Sequence, residues 1–350
     1  MEALGLYCRV MAQKSFIAGC ESLVLSREEK AFFRAEKPWG FILFARNCHD
    51  GDQIRALCAA LRAAAEDDAA PIFIDQEGGR VRRLKPPLVP DYPAGSAYGA
   101  LYRKDAESGL RAAWLGARLI AHDLAGFGIT GNCLPIVDVR QPYGDAIIGD
   151  RAYGERPEDV AAVGRAIADG AIAGGVLPVM KHVPGHGRAR LDSHKALPVL
   201  EDSIDDLRAV DFLPFKRLNT LPLAMTAHIV YGALDRSQPA TTSPVVIEAT
   251  IRGEIGFDGA LMSDDLSMQA LSGTIGERTR AALEAGCDLA LHCNGDLSEM
   301  QAVAAVADEL AGEAKRRADA ARASRRPAEF CDIKGLRDEF DTLLSMLPAA

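Results

Sequence analysis

Eight short apolar runs, separated by segments with helical spacing, predict an α/β fold whose parallel strands close into a (β/α)8 barrel of the TIM type. The runs lie at 14–19, 39–47, 71–79, 132–140, 176–186, 222–231, 259–268 and 288–295. Strands that are covered on both faces of a sheet are continuously apolar rather than alternating, as these runs are. An open, doubly wound parallel sheet is the alternative architecture.

The carboxyl ends of the runs favour the barrel. Nearly every run ends in titratable or amide side chains: Arg46, Asn47, Asp75, Asp138, Lys181, His182, His228, Asp264, Asp265, His292 and Asn294. In a barrel these ends all meet at one mouth, where barrel enzymes carry their chemistry. In an open sheet only the ends near a switch point converge.

The segments between and after the runs predict the helices. Helical spacing is visible at 52–67, 108–128, 157–175 and 277–286. Beyond about residue 297 the chain is rich in Ala, Glu and Arg, which predicts a long helix, a break at Pro327 and a short helix near 334–347. We therefore expect residues 1–350 to form a single barrel domain, with 297–350 as a helical extension packed on it.

Composition limits the partners. The chain has 350 residues and a formal net charge of −9, and its short basic runs, such as Lys315-Arg316-Arg317, lie in the helical tail. Nucleic acid and a membrane surface are therefore not expected as partners. Nothing in the sequence indicates an obligate protein partner. The N-terminal stretch MEALGLYCRVMAQKSF lacks the pattern of a signal peptide, and no run approaches the roughly 18 apolar residues of a membrane span. These features predict a cytoplasmic protein.

No organic cofactor is expected either. The segment GFGITG at 126–131 matches the glycine spacing of a dinucleotide fingerprint. That fingerprint must follow a strand and open a helix, whereas this segment ends a predicted helix and leads into a strand. A helix C-terminus and a tight turn explain its glycines better.

The stretch KHVPGHGRARLDSH at 181–194 concentrates histidines in a short, glycine-rich segment. A metal site built from His182, His186 and His194 is one interpretation. Two histidines four residues apart bind one metal well on a helix, but Pro184 and the neighbouring glycines exclude a regular helix here. The adjacent positive charge of Lys181 would also compete with a cation.

Proton transfer is the other interpretation. Asp192 and His194 are two residues apart, so in an extended segment their side chains point the same way. The carboxylate can then fix the tautomer of the imidazole, whose other nitrogen becomes a general acid or base near neutral pH. A solvated Asp-x-His on a surface loop is the plain alternative.

A partner for such an acid follows the seventh run, in LMSDDLSM at 261–268. Adjacent side chains on a strand face opposite sides, so only one of Asp264 and Asp265 is expected to face the barrel mouth. For Asp265 we prefer the role of a helix N-cap over residues 266–268. Glycoside hydrolysis needs one group that protonates the leaving oxygen and one that attacks or stabilises the sugar, and this pair could supply both.

Five segments together carry a family resemblance. They are IDQEGGRVRRL at 74–84, IGDRAYG at 148–154, KHVPGHG at 181–187, DSH at 192–194 and MSDDLSM at 262–268. In this order they resemble the family 3 glycoside hydrolases, and more closely their single-domain bacterial β-N-acetylglucosaminidase branch. The similarity extends from about residue 38 to 295, while the first strand and the tail are not diagnostic.

The resemblance implies a role for each matching residue. Asp264 matches the nucleophile, His194 the general acid/base and Asp192 the residue that orients it. The sugar-binding positions are matched by Asp75, Arg83, Arg151, Lys181 and His182. The plain alternatives are a surface salt bridge for Asp75 and Arg83 and a loop anchor for Arg151. His186 is predicted to be structural.

The implied reaction is a two-step, retaining hydrolysis of terminal β-linked N-acetylglucosamine, with muropeptides as the expected source and no metal. Three alternatives stay open. The first is a phosphorylase on the same scaffold, and the second is a metal-dependent hydrolase that uses His182, His186 and His194. The third is a non-catalytic sugar-binding barrel.

Overall fold

The eight predicted runs form the eight strands of one parallel sheet. A computed structural model describes residues 12–191, 193 and 197–347. The strands are β1 (Lys14–Ala18), β2 (Pro38–Leu43), β3 (Ile72–Ile74), β4 (Gly131–Asn132), β5 (Leu177–Val183), β6 (Leu223–Thr226), β7 (Ala260–Met262) and β8 (Ala290–His292). Each strand occupies the apolar part of its run, and the polar ends of the runs mostly continue as loops.

The sheet closes on itself. Hydrogen-bonded neighbours follow the order β7-β6-β5-β4-β3-β2-β1-β8. Every pairing is parallel, for example Phe41 opposite Ile72 and Val179 opposite Leu223. A parallel bridge between Met262 and Leu289 joins β7 to the start of β8. The predicted (β/α)8 barrel is therefore confirmed, and the open-sheet alternative is wrong.

Helices surround the barrel. They are α1 (Arg27–Glu36), α2 (Gly51–Ala65), α3 (Gly95–Lys104), α4 (Ala106–Gly126), α5 (Pro157–Ala173), α6 (successive segments Ile204–Asp206, Leu207–Asp211 and Phe212–Arg217), α7 (Val246–Glu254), α8 (Ile275–Ala285), α9 (Leu297–Ala304), α10 (Gly312–Ser324) and α11 (Ile333–Leu344). In the described part of the chain, none of the helices combines the length and apolarity that crossing a membrane requires.

Local sequence fixes where helices start and stop. The α8 helix begins with a capping box in which the Thr274 side chain accepts from the Glu277 N–H and the Glu277 side chain accepts from the Thr274 N–H. It ends at Gly286, whose φ of 112° suits a residue without Cβ. Asp50 caps α2 by accepting from the Gln53 N–H. These signals explain why both predicted helices agree with the structure to within about two residues.

The barrel interior is filled with side chains rather than open. Trp39 and Phe73 stack inside it with ring centroids 6.1 Å apart. They belong to one buried cluster with residues in or directly beside the strands and with two alanines of α10: Ile17, Ile42, Cys133, Leu177, Val179, Leu223, Met225, Ala260, Met262, Leu289, Leu291, Cys293, Ala318 and Ala321. Since Ala318 and Ala321 join this cluster, α10 closes the amino-terminal end of the barrel.

The C-terminal region differs from the expectation of one long helix. Residues 305–311 interrupt it, because this segment turns back along β1: Glu309 bridges Lys14, and the Leu310 N–H donates to the Gln13 carbonyl at 2.8 Å. The predicted break near Pro327 is present. The last helix, α11, packs against α4, where Glu339 receives two hydrogen bonds of 2.7 Å from Arg111.

Candidate functional site

One cavity lies at the carboxyl ends of the strands. Its volume is about 310 Å³, and its wall contains most of the residues that the sequence singled out. Polar side chains in the wall are Asp75, Glu77, Arg80, Arg83, Arg151, Lys181, His182, His186, Ser193, Asp264 and Asp265. Ile42, Met225 and Leu291 of the barrel interior form its apolar lining. A concave site in which many polar groups converge beside an apolar patch suits recognition of a small polar molecule.

A chain of alternating charges crosses this cavity. Arg83 Nη2 lies 2.9 Å from Asp75 Oδ2, and Lys181 Nζ lies 2.7 Å from Asp75 Oδ1. The same ammonium lies 2.8 Å from Glu77 Oε1. The Arg151 guanidinium donates two hydrogen bonds to Glu77, from Nε to Oε2 at 2.8 Å and from Nη2 to Oε1 at 2.9 Å. We call these five residues the charge chain.

Burial makes the charge chain different from a surface ion pair. The Lys181 side chain is only 3% exposed. Burial by itself lowers the pKa of Lys181, but Asp75 and Glu77 outweigh it and raise the pKa above its usual value. Burial likewise opposes ionisation of Asp75, yet Lys181 and Arg83 hold the pKa of this carboxyl well below its usual range. Lys181 and Asp75 are therefore both charged at neutral pH.

The backbone around Asp75 and Glu77 is fixed by the residue between them. The Gln76 N–H donates to Asn132 Oδ1 at 3.0 Å, and Asn132 Nδ2 donates back to the Gln76 carbonyl at 2.9 Å. The Gln76 side chain accepts from the N–H groups of Arg83 and Leu84 at 2.9 and 3.0 Å. Because β4 carries Asn132, this clamp ties the loop after β3 to the neighbouring strand.

The turn after Glu77 requires glycine. Gly78 has a φ of 98°, and a Cβ there would lie 2.3 Å from the carbonyl oxygen of Pro93. Gly79 also has a positive φ of 55°. The two glycines reverse the chain, so that the strand pair Gln76–Gly78 and Val81–Arg82 forms and Arg83 returns to Asp75.

His182 is held by a carboxylate behind the cavity wall. Its Nδ1 lies 2.7 Å from Asp138 Oδ2, and Asp138 Oδ1 accepts from the backbone N–H of His186 at 2.7 Å. Burial raises the pKa of Asp138, but His182 and His186 outweigh it and lower the pKa to about 2. An ionised carboxylate only accepts, so Nδ1 of His182 carries the proton and the Nε2 edge is left for a ligand.

His186 also contributes to the cavity wall. Its Nε2 is hydrogen-bonded to Ser193 Oγ at 3.1 Å, and burial together with nearby His182 lowers the pKa of the imidazole to about 4. His186 is therefore neutral at pH 7, which agrees with a structural role. Ser193 lies between the two predicted proton-transfer residues, Asp192 and His194, both of which lie outside the described residues.

The two aspartates after β7 have different surroundings. The Asp264 N–H donates to Thr226 Oγ1 at 3.3 Å, and Asp264 Oδ1 accepts from the Asp265 N–H at 2.8 Å. The Asp265 carboxylate accepts from the Ser267 N–H, the Ser267 hydroxyl and the Cys293 N–H at 3.0, 2.6 and 3.2 Å. Asp265 is thus committed to holding the local backbone, a structural role rather than a catalytic one.

Two details of the prediction for this pair are wrong. Both aspartates contribute to the cavity wall, because the chain leaves the strand at Ser263 and the alternation of a strand no longer applies. No helix follows Asp265 either. Residues 266–270 form turns and α8 begins at Ile275, so Asp265 caps a turn.

Other polar residues at the strand ends lie outside the cavity wall. His228 bonds Thr241 Oγ1 at 2.7 Å and the Asp265 carbonyl at 3.0 Å, which supports the loop that carries Asp264. His292 lies 2.9 Å from Glu299 Oε2. Arg46 donates to the carbonyls of Cys20 and Cys293. These residues stabilise the loops of the mouth.

Two neighbours of the predicted site residues, Glu77 and Asp138, were not predicted from the sequence. Glu77 received no role, although a buried glutamate beside two glycines at a strand end was a visible signal. Asp138 was noted only as a strand-end polar residue, and no spacing in the sequence relates it to His182. In both cases the partner comes from a different strand or loop, so only the closed barrel shows the pairing.

The metal hypothesis gains no cluster from the described geometry. Within residues 12–191, 193 and 197–347, no group of three or more His, Cys, Asp or Glu side chains could hold a metal ion. His182 Nδ1 is engaged by Asp138, and His186 Nε2 by Ser193. The third predicted ligand, His194, lies outside the described residues.

Comparison with known proteins agrees with this geometry. Residues 17–325 match the glycosyl hydrolase family 3 N-terminal domain. A relative named β-hexosaminidase from Alkalilimnicola ehrlichii is 38% identical over 280 residues, which is 79% of each chain.

Solved structures are similar to this chain over almost its whole length. NagZ from Neisseria gonorrhoeae in complex with zinc ion is 29% identical and superposes with a TM-score of 0.83, over 96% of this chain and 98% of that one. The same protein in complex with N-trifluoroacetyl-D-glucosamine is 30% identical, with a TM-score of 0.79 and the same coverage.

Proposed function

The chain belongs to glycosyl hydrolase family 3 and is a glycoside hydrolase of the β-N-acetylhexosaminidase class, and on this premise we propose a reaction and a substrate. The reaction is removal of a terminal, non-reducing β-linked N-acetylglucosamine with retention of configuration. The natural substrates proposed are muropeptides, including anhydro forms, in cell-wall recycling. We propose that residues 1–350 act as one catalytic unit in the cytoplasm, without an obligate partner.

One observation carries the proposal: Asp264 shares the wall of a single cavity with all five predicted sugar-binding residues, Asp75, Arg83, Arg151, Lys181 and His182. Charged donors and acceptors that are fixed by each other suit the hydroxyl groups of a sugar, which need both kinds of partner. The apolar lining suits the less polar faces of a sugar ring.

The mechanism assigns a task to each group. Asp264 attacks the anomeric carbon, the bond to the leaving oxygen breaks, and His194 gives that oxygen its proton. A water molecule, deprotonated by the same His194, then attacks the glycosyl-enzyme and releases the sugar and the Asp264 carboxylate. Asp192 orients His194. The charge chain and His182 hold the sugar ring in place during both steps.

A similar solved structure supports the proposal that the substrate carries an N-acyl group. The Neisseria NagZ structure holds N-trifluoroacetyl-D-glucosamine, an N-acylated glucosamine. We propose that this chain accepts the same class of sugar, because its cavity is lined by charged donors and acceptors that suit the hydroxyl and amide groups of such a sugar.

The first test compares nitrophenol release from the β-N-acetylglucosaminide by wild type, Asp264→Ala and Asp258→Asn, each with chelator present. Asp258 is a matched control, since it precedes β7 at the opposite end of the barrel and pairs with Arg316. The proposal expects turnover by wild type and Asp258→Asn, and a loss of roughly a thousand-fold or more in Asp264→Ala.

Other outcomes point to the alternatives. A rate that rises with phosphate and yields sugar 1-phosphate would indicate a phosphorylase. Turnover that chelator abolishes and zinc restores would indicate a metal-dependent hydrolase. Binding of the sugar without turnover would indicate a sugar-binding barrel. An Asp264→Ala variant with unchanged turnover would overturn the assignment of the nucleophile.

A further inference from the structure

Neither the sequence nor the family resemblance gave a role to Glu77, the second carboxylate of the charge chain. It contacts two cations, Lys181 and Arg151, that come from different elements. We propose that Glu77 is a positioning and specificity residue, which holds Lys181 and Arg151 for a neutral sugar and keeps inorganic anions out of the cavity. This inference rests on the proposed function, because it assumes that Lys181 and Arg151 contact the sugar.

The positioning part follows from the contacts. Glu77 Oε1 accepts from both Lys181 Nζ at 2.8 Å and Arg151 Nη2 at 2.9 Å, so a single oxygen sets the separation of the two cations. Oε2 completes the fork with Arg151 Nε at 2.8 Å. The third nitrogen of the guanidinium, Arg151 Nη1, donates to the carbonyl of Ile147 at 3.1 Å. The guanidinium plane is therefore fixed, and its position does not depend on bound substrate.

Glu77 and Arg151 are both buried, so each depends on the other as a counter-ion. The side chains of Glu77 and Arg151 are 5% and 9% exposed. Burial raises the pKa of Glu77, but Arg151 and Lys181 outweigh it and lower the pKa below the usual value. Glu77 is thus ionised and available as a counter-ion. Without it, Arg151 would lose the only carboxylate with which it is paired among residues 12–191, 193 and 197–347.

The specificity part follows from the charge. The charge chain contains three cations and two carboxylates, hence a net charge of +1. Replacing Glu77 by glutamine raises this to +2 and leaves a lysine and an arginine side by side without the acid between them. Paired Lys and Arg groups are good binding sites for phosphate and sulfate. Glu77 occupies the position that such an anion would take, so the cations remain available to sugar hydroxyls.

The test uses the full chain as wild type, Glu77→Gln, Glu77→Asp and Glu254→Gln. Glu254 is a matched control, because one of its oxygens also contacts two cations, Arg208 Nε at 3.0 Å and Lys216 Nζ at 2.9 Å, but on the outer surface of the barrel. For each protein, kcat and KM are measured with the nitrophenyl β-N-acetylglucosaminide, with and without inorganic phosphate at constant ionic strength. Thermal unfolding is recorded alongside.

In Glu77→Gln we expect KM to rise roughly ten-fold or more, with a smaller change in kcat, and phosphate to become a competitive inhibitor. Glu77→Asp keeps the charge but its shorter side chain cannot span both cations. This aspartate variant should raise KM without gaining phosphate inhibition. If Glu77→Gln does not fold, the KM of Glu77→Asp tests the inference. Wild type and Glu254→Gln should be insensitive to phosphate.

Two results would overturn the inference. The first is an unchanged KM in Glu77→Asp or in a folded Glu77→Gln. The second is a folded Glu77→Gln with no more phosphate inhibition than wild type, which would reduce Glu77 to a structural ion pair. Failure of the proposed function looks different, because then wild type itself would not hydrolyse the substrate.

Discussion

Asp138 Oδ2 lies 2.7 Å from His182 Nδ1, while the other oxygen of the same carboxylate accepts from the backbone N–H of His186. One buried acid therefore fixes both the ring of His182 and the chain that leaves the strand behind it. Such a carboxylate determines which nitrogen of an imidazole carries the proton.

Replacing Asp138 by asparagine should weaken sugar binding through His182. The amide is neutral and can also donate, so the tautomer of the imidazole is no longer fixed. We expect KM to rise roughly ten-fold, in line with the loss of a hydrogen bond to a charged group. Glu299→Gln is the matched control, since it removes the carboxylate beside His292, a strand-end histidine outside the cavity wall. Equal effects of the two substitutions would argue against a specific role for Asp138.

His194 should reveal its role through the leaving group. Nitrophenolate leaves without help, whereas a sugar alkoxide needs a proton. We expect His194→Ala to slow hydrolysis of a disaccharide or an alkyl glycoside at least a hundred-fold more than hydrolysis of the nitrophenyl substrate, a difference within the usual range for general acid catalysis. Rates measured over a series of leaving groups test this. A uniform decrease across the series would mean that His194 is not the acid.

His186 should make stability depend on pH in a defined window. Its pKa falls from 6.5 to about 4 on folding, so between these values the unfolded chain binds a proton that the folded protein does not. Stability is then fully present above pH 6.5 and decreases as the pH falls towards 4, by at most about 3 kcal/mol from this group.

The measurement for His186 is urea unfolding of wild type and His186→Gln at pH 7 and pH 5. The difference in the free energy of unfolding between the two proteins should shrink at pH 5, since the variant lacks the titrating group. His122→Gln, at an exposed position on α4, controls for the loss of one imidazole. A difference that stays constant with pH would contradict the prediction.

Gly78→Ala should damage both the fold and the site. The left-handed backbone and the contact with the Pro93 carbonyl should together cost more than about 2 kcal/mol of stability. Because the turn also places Glu77 and Arg83, KM should rise as well. Gly126→Ala is the control, since a Cβ at this last residue of α4 meets nothing within 4 Å, and it should stabilise by roughly 0.5 kcal/mol. Chemical denaturation and steady-state kinetics measure both effects.

The sequence was sufficient for the barrel because its signals are local. A run such as 176–186 is apolar enough to identify a buried strand, and Thr274 with Glu277 marks the start of a helix. The course of residues 305–311 could not be foreseen in the same way. That segment is shaped by its pairing with Lys14, a residue nearly 300 positions earlier in the chain, and no local pattern records such a contact.

The residues of the site likewise divide into those with a local sequence signal and those whose partners come from distant parts of the chain. Lys181, His182 and Asp264 were predicted because they lie at or just beyond the carboxyl ends of strands, and these ends meet at the mouth of any barrel. Glu77 and Asp138 emerged only from the structure, because their importance lies in the cations and imidazoles that the fold brings to them. The relation of Asp192 and His194 to the cavity stays a prediction.

Closure of the amino-terminal barrel end by α10 has a consequence for the order of product release. With Ala318 and Ala321 sealing that end and Trp39 and Phe73 filling the interior, the described part of the chain leaves the cavity no exit at its back. In the proposed retaining mechanism the sugar stays attached to Asp264 while the aglycone departs first through the mouth. The water of the second step must then arrive by the path the aglycone has vacated. Free N-acetylglucosamine leaves last, and as the final product it should compete with incoming substrate for the empty enzyme.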